Sequence, residues 1–259
     1  GWVNAAADYS RYLPRNASTR GVVGWTTFGA SLPVLVLVCF GVLLVGSSGA
    51  ELSQKIGDDP IGALTTLLPT WFLIPFAVVA ILGLVGGIVM DIYSSGLSLL
   101  ATGVPVSRPV ATAIDGTIMT LGTIVVVFFA DSFLTPFTAF LTTLGVVIAA
   151  WAGVMLADIA LRHKEYDDVD LFSPAGRYGS VNWGAMASLV IASFVGWGLV
   201  VNTGASWLSW QGYLLGPLGL GGRQGSWAGA NLGILLALVI GFAGYWISSA
   251  KRVRRQEER

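Results

Sequence analysis

Six apolar runs, each about as long as a bilayer is thick, set the frame for this chain: residues 22–45, 71–100, 109–130, 133–161, 183–201 and 227–248. A helix needs roughly 20 predominantly apolar residues to cross the hydrocarbon layer, so the pattern predicts six transmembrane helices. Composition agrees: 54% of the residues are hydrophobic and 11% are charged, more apolar surface than a soluble domain can hide in its own interior. The 34 glycines and 10 tryptophans suit close helix packing and indoles held at headgroup level. The expected fold is all-α, a polytopic membrane helix bundle.

Ahead of the first run, residues 1–13 read as the remnant of an earlier helix, ended at Leu13-Pro14 because proline restricts the residue before it. The chain opens on Gly1-Trp2-Val3 without an initiator Met or a signal peptide, which reads as the loss of an N-terminal half. Basic residues accumulate in cytoplasmic loops. With six spans, Arg11, Arg15, Arg20, Arg108, Arg162, Lys164, Arg177, Lys251, Arg252, Arg254, Arg255 and Arg259 fall on one side, against Lys55 and Arg223 on the other. Both chain ends are therefore expected in the cytoplasm, in a multi-pass inner or plasma membrane protein whose tail is 249–259. The acidic turn 51–59 and the loop 202–226 are expected outside, with Trp207, Trp210 and Trp227 at the interface. The inner loop 162–180 carries Glu165, Asp167, Asp168 and Asp170, read as a solvated cluster.

An ionisable group inside lipid costs a few kcal/mol or more, so each one invites a functional explanation. Asp91 is the clearest. It follows Gly83-Leu84-Val85-Gly86-Gly87, and counting from Trp71 at ~1.5 Å per residue suggests a place near the bilayer midplane. Glycines there expose backbone and admit a ligand or a second helix, and helices thinned at mid-depth are where transporters bind solute. Asp115, Asp131 and Asp158 lie nearer span ends, where anchor or cap roles are expected. Asp8 and Arg11 are spaced for an ion pair on one helix face, a candidate helix-end latch. Phe137 and Phe140 share one side of the fourth span, either as core or as an aromatic gate over a flat ligand. Cys39, the single cysteine, is expected as a packed thiol.

Several function classes are excluded. The net charge is zero and no basic face is formed, so nucleic acid is not an expected partner. The chain has no H-E-x-x-H, no G-x-S-x-G and no cysteine pair, and its one histidine, His163, stands in a loop. The glycine-rich stretch 216–225 lacks the G-K-[ST] ending of a phosphate loop. Asn16-Ala17-Ser18 fits a glycosylation acceptor but falls on the expected cytoplasmic side. No enzyme activity, metal or cofactor is expected.

Three stretches together resemble the nucleobase:cation symporter-1 family, the cytosine, purine and allantoin permeases. Residues 4–15, containing Asp8-Tyr9-Ser10-Arg11-Tyr12, are similar to the D-[YF]-S-R-[YF] signature ending that family's sixth helix. Asp91-Ile92-Tyr93-Ser94 resembles the N-x-Y-S element of the eighth helix, and Trp151-Ala152-Gly153-Val154 through Asp158 to Arg162 the end of the tenth. The resemblance implies a second inverted repeat plus two trailing helices of a five-plus-five inverted-repeat (LeuT-like) transporter fold. It implies a substrate site at Trp2, Gly86, Gly87 and Asp91, with Asp91 standing where the family has an asparagine. Where sodium-coupled members carry hydroxyls, this chain has Leu82, Val85 and Gly86. A carboxylate in low dielectric favours its protonated form, so the expected coupling cation is a proton at Asp91, not sodium.

The implied function is a secondary permease importing a flat heterocycle such as cytosine or a purine. Its expected partners are that solute, the lipid bilayer and the N-terminal half of the same protein. The alternatives are a permease of the same fold for allantoin, hydantoin or a vitamin precursor, and a structural membrane subunit without transport.

Overall fold

The computed structural model describes residues 2–14, 16–129 and 134–258, the side chains of 2–4, 57, 58 and 134 excepted. Arg15, Asp131, Phe133, Arg259 and the side chain of Trp2 therefore lie outside the described residues. Among the described residues, ten α-helices follow in order: α1 (Trp2–Ser10), α2 (Thr19–Ser47), α3 (Ala50–Asp58), α4 (Pro60–Thr65), α5 (Leu73–Ala101), α6 (Arg108–Phe129), α7 (Leu134–Leu161), α8 (Asp168–Leu171), α9 (Trp183–Trp197) and α10 (Leu232–Glu258). No strand occurs among the described residues. That is the all-α membrane bundle the apolar runs require, since a helix satisfies every backbone group within itself. Two compact units form, Ala5–Ser132 and Phe133–Arg259 together with Gly1–Asn4.

In the first unit, Ser18 caps α2 by accepting a hydrogen bond from Gly21 N at 3.3 Å. The helix runs unbroken past Pro33 and buries none of its residues. The acidic turn 51–59 is helical: Lys55 bonds Glu51 at 2.8 Å within α3, and Asp59 then caps α4, which opens on Pro60. Helices α5 and α6 pack through small residues. Gly96 is buried, with Thr112 Oγ1 only 3.1 Å from where its Cβ would stand, and Ala111 is fully buried.

In the second unit, α10 lies against α7 and α9 at backbone contact. A Cβ on Gly153 would stand 2.8 Å from Phe242 N, and one on Gly233 would stand 2.9 Å from Gly196 C. The core beside these contacts is Val146, Ala149, Ala150, Ala192, Val200 and Ala237. Without a hydrophobic force between helices in lipid, this close approach is what holds them.

Two runs differ from their sequence limits. The run 183–201 is helical for only 15 residues, about 22 Å, against a hydrocarbon thickness of ~30 Å. Beyond Trp197 the chain folds back: Gly212 N donates to Trp197 O and Leu214 N to Gly198 O, burying Leu199 and Val200 outside any helix. Among the described residues, five helices are thus long and apolar enough to cross a membrane. The last run begins at Leu232, after Asn231 turns left-handed at φ 49°, and continues to Glu258. The sequence 249–259, expected as a tail, is helical as far as 258 because Lys, Arg, Gln and Glu are good helix formers and because Val253 and Gln256 are buried.

Candidate functional site

Helix α5 carries the residues singled out for binding. It stays α-helical through Gly83, Gly86 and Gly87, so it is thinned but not broken. Nothing lies within 4 Å of a Cβ built on Gly86 or Gly87. Its midpoint falls at Gly87, and Asp91 lies about 27 Å from Leu73, some 6 Å past that midpoint. The glycine pair thus occupies the centre of the helix and Asp91 the next turn, close to the position counted from Trp71. Asp91 is exposed, and among the described residues its carboxylate has no hydrogen-bond partner. Helix α2 buries none of its residues.

Two turns of chemistry meet beside that carboxylate. Ser94 Oγ donates to Asp8 Oδ2 at 2.6 Å, and Arg11 Nη2 donates to Tyr93 Oη at 2.5 Å and to Tyr12 Oη at 2.9 Å. The Tyr12 and Tyr93 hydroxyls share a hydrogen bond at 2.6 Å, and Tyr9 Oη donates to Met90 O at 3.4 Å. Arg108, at the start of α6, lies 4.8 Å from the Tyr93 ring centre, a cation–π distance. The Asp8–Arg11 ion pair expected from their spacing does not form, because each reaches across to α5 instead. Hydrogen bonds from Tyr93 and Arg11 hold the Tyr12 hydroxyl below the usual phenol range, and those to Tyr12 and Tyr93 raise Arg11. The latch therefore fastens the end of α1 to the turn of α5 that bears Asp91. Tyr12, Tyr93, Ser94 and Arg108 were not picked out as site residues; the shared hydroxyls of the two motifs were the available signal.

A second polar centre lies at the end of α7. Asp158 is buried and accepts from Arg162 Nε at 2.9 Å, from Tyr166 Oη and from Tyr245 Oη. Arg162 Nη2 continues to Gln256 Oε1 at 3.0 Å, and its guanidinium lies 4.3 Å from the Tyr166 ring centre. Burial would lower Arg162, yet the Asp158 carboxylate raises it overall; burial and Asp158 together push Tyr166 up to about 12. Asp158 is thus the hub joining α7, α10 and the following loop, more than an end anchor. The i, i+4 spacing of Asp158 and Arg162 carried that signal.

The remaining candidates take different surroundings. Asp115, expected in an anchor or cap role, has one carboxylate oxygen buried without a hydrogen-bond partner among the described residues. Phe137 and Phe140 are exposed within this chain. Cys39 is also exposed on α2 rather than packed. The acidic loop 162–180 is organised: Asp167 caps α8, and Arg177 bonds Asp170 and, at 3.3 Å, Asp167.

Residues 1–216 match the permease family for cytosine/purines, uracil, thiamine and allantoin. The Bacillus subtilis (strain 168) protein named "Putative purine-cytosine permease YxlA" is 24% identical over 199 residues, 72% of this chain and 41% of the relative. The chain thus spans about two fifths of the length of that curated relative. No solved structure matches the chain. With five helices long enough to cross a bilayer and a family match over most of its residues, the chain belongs to the cytosine/purine, uracil, thiamine and allantoin permeases.

Proposed function

We propose that this protein is a proton-coupled importer of a nucleobase such as cytosine or a purine, with Gly86, Gly87 and Asp91 of α5 facing the solute. The observation that carries this reading is the latch. Asp8 and Arg11 of the first motif bind Ser94 and Tyr93 of the second, on the turn that holds Asp91. Opening the site requires α1 to move against α5, and the latch is the contact that such a movement breaks and remakes. The glycine pair leaves one face of α5 without side chains, where a flat ring can approach the backbone. Trp2, Phe137 and Phe140 are each proposed as an aromatic surface able to stack on a flat ring.

Asp91 is the proposed proton carrier. The family's sodium-binding hydroxyls are replaced by Leu82, Val85 and Gly86, which leaves the carboxylate as the exchangeable charge of that face. On this reading the chain works in a cell membrane together with a further half of the same protein, and both of its ends are cytoplasmic, which requires the 15-residue α9 to cross along with the five longer helices. A second solute deserves a parallel arm: an ionised Asp91 accepts hydrogen bonds and cannot donate them, which favours donor-rich or cationic heterocycles, and thiamine is in the family description.

The test is uptake of labelled cytosine, hypoxanthine and thiamine into vesicles carrying the protein. Uptake of one of them should follow an imposed pH gradient, ignore replacement of sodium, and lose its pH dependence in Asp91→Asn. Uptake that requires sodium at constant pH and survives Asp91→Asn refutes the coupling assignment.

A further inference from the structure

Where α10 leaves the apolar part of its sequence, a cavity of about 440 Å³ opens between that helix and the loop 176–179. This volume lies within the ~300–1,000 Å³ usual for small-molecule sites. Arg177, Lys251, Arg252 and Arg255 line it together with Tyr178 and Gln256, and no acidic side chain does. The nearby carboxylates already have partners. Asp167 and Asp170 bond Arg177, and Glu257 accepts from the His163 and Lys164 backbone. Arg252 is held in place by the Tyr178 and Val181 carbonyls, at 2.6 and 3.4 Å. The turn that presents Tyr178 O depends on Gly179 at φ 68°. Lys251 and Arg255, one helical turn apart, are exposed, and neither has an anionic partner among the described residues.

Arg177 is thus neutralised, but Lys251, Arg252 and Arg255 line one concave space without a carboxylate partner among the described residues, an arrangement that suits an anion from outside the chain. The position of the cavity indicates which one. Ile247, one turn before Lys251, is 83% exposed, and Trp183, which starts α9, is 76% exposed. Both exposures suit acyl chains and the headgroup boundary rather than water. Basic pockets at such boundaries between helices suit anionic lipid heads.

We infer that this cavity binds the phosphate of an anionic phospholipid, with Lys251 and Arg255 as the contacting cations and Arg252 as the fixed positive wall. The acyl chains run along Ile247 and the start of α9. The bound lipid ties the end of α10 to the loop 176–179.

The test is native mass spectrometry of the purified full chain in detergent. It is titrated with phosphatidylglycerol, with phosphatidylcholine of the same chains, and with inorganic phosphate. Phosphatidylglycerol should bind in preference to phosphatidylcholine. Arg255→Gln and Lys251→Gln should each weaken it about fivefold. Arg254→Gln, the same charge loss on a residue outside the cavity lining, should leave binding unchanged. Tryptophan-emission melts check that the variants fold, and Lys251→Gln carries the comparison if Arg255→Gln does not. Equal binding of the two lipids, or equal weakening by Arg254→Gln and Arg255→Gln, overturns the site. Displacement of phosphatidylglycerol by millimolar inorganic phosphate overturns the lipid and assigns the cavity to a soluble anion.

Discussion

Replacing Asp158 with alanine should be the most costly single polar change in the unit built from α7, α9 and α10. The carboxylate is 5% exposed and its partner Arg162 has a side chain 12% exposed, so neither charge is well hydrated in the folded protein. Removing one member of a buried pair leaves the other unpaired and typically costs about 3–5 kcal/mol. Tyr245 and Tyr166 lose their acceptor in the same step, though Tyr166 is 40% exposed and finds water again. The expected loss is therefore about 3–5 kcal/mol, with Tyr166 adding little. Tyr245→Phe removes only one hydrogen bond to the same oxygen pair and should cost about 1–2 kcal/mol. The assay is denaturant unfolding of the detergent-solubilised protein followed by tryptophan emission, with a double-mutant cycle of Asp158→Ala and Arg162→Ala. Coupling of about 2 kcal/mol between the two sites is expected, since each single variant strands the other charge. A loss below about 1 kcal/mol for Asp158→Ala, or strictly additive singles, would show that this centre is hydrated and not a joint between helices.

Two further outcomes follow from the same unit. Gly153→Val places a side chain 2.8 Å from Phe242 N, against backbone that cannot turn away, so α7 and α10 must separate at a cost of about 1–3 kcal/mol or more; a wild-type unfolding midpoint would refute the close contact. Tyr166 is raised from 10.0 to about 12 by burial and Asp158, so its protonated form is favoured in the folded state. Its share of stability is fully present below pH 10 and is lost as pH rises through 12. In Tyr166→Phe that loss should disappear, together with a late phenolate absorbance step, and an unchanged pH slope would refute the assignment.

Length and apolarity alone determined that this chain is a membrane helix bundle, because lipid offers no hydrogen bonds and forces each long apolar run to satisfy its own backbone. That requirement is local, so α2, α5, α6 and α7 could be read residue by residue. The permease resemblance was equally legible, being carried by short contiguous motifs such as Asp8 to Tyr12 and Asp91 to Ser94. Limits set by folding back were not: the run 183–201 gives up its helix at Trp197 because Gly212 and Leu214, distant in sequence, take its carbonyls. Only tertiary structure decided the partners of the charges. Asp8 turns to Ser94 instead of Arg11, Asp158 collects Tyr245 from another helix, and Lys251 and Arg255 share a cavity with Arg177. Side-chain spacing fixes which residues share a helix face, but the partner of a buried charge is the nearest group able to neutralise it, and that depends on which backbones glycine allows to touch.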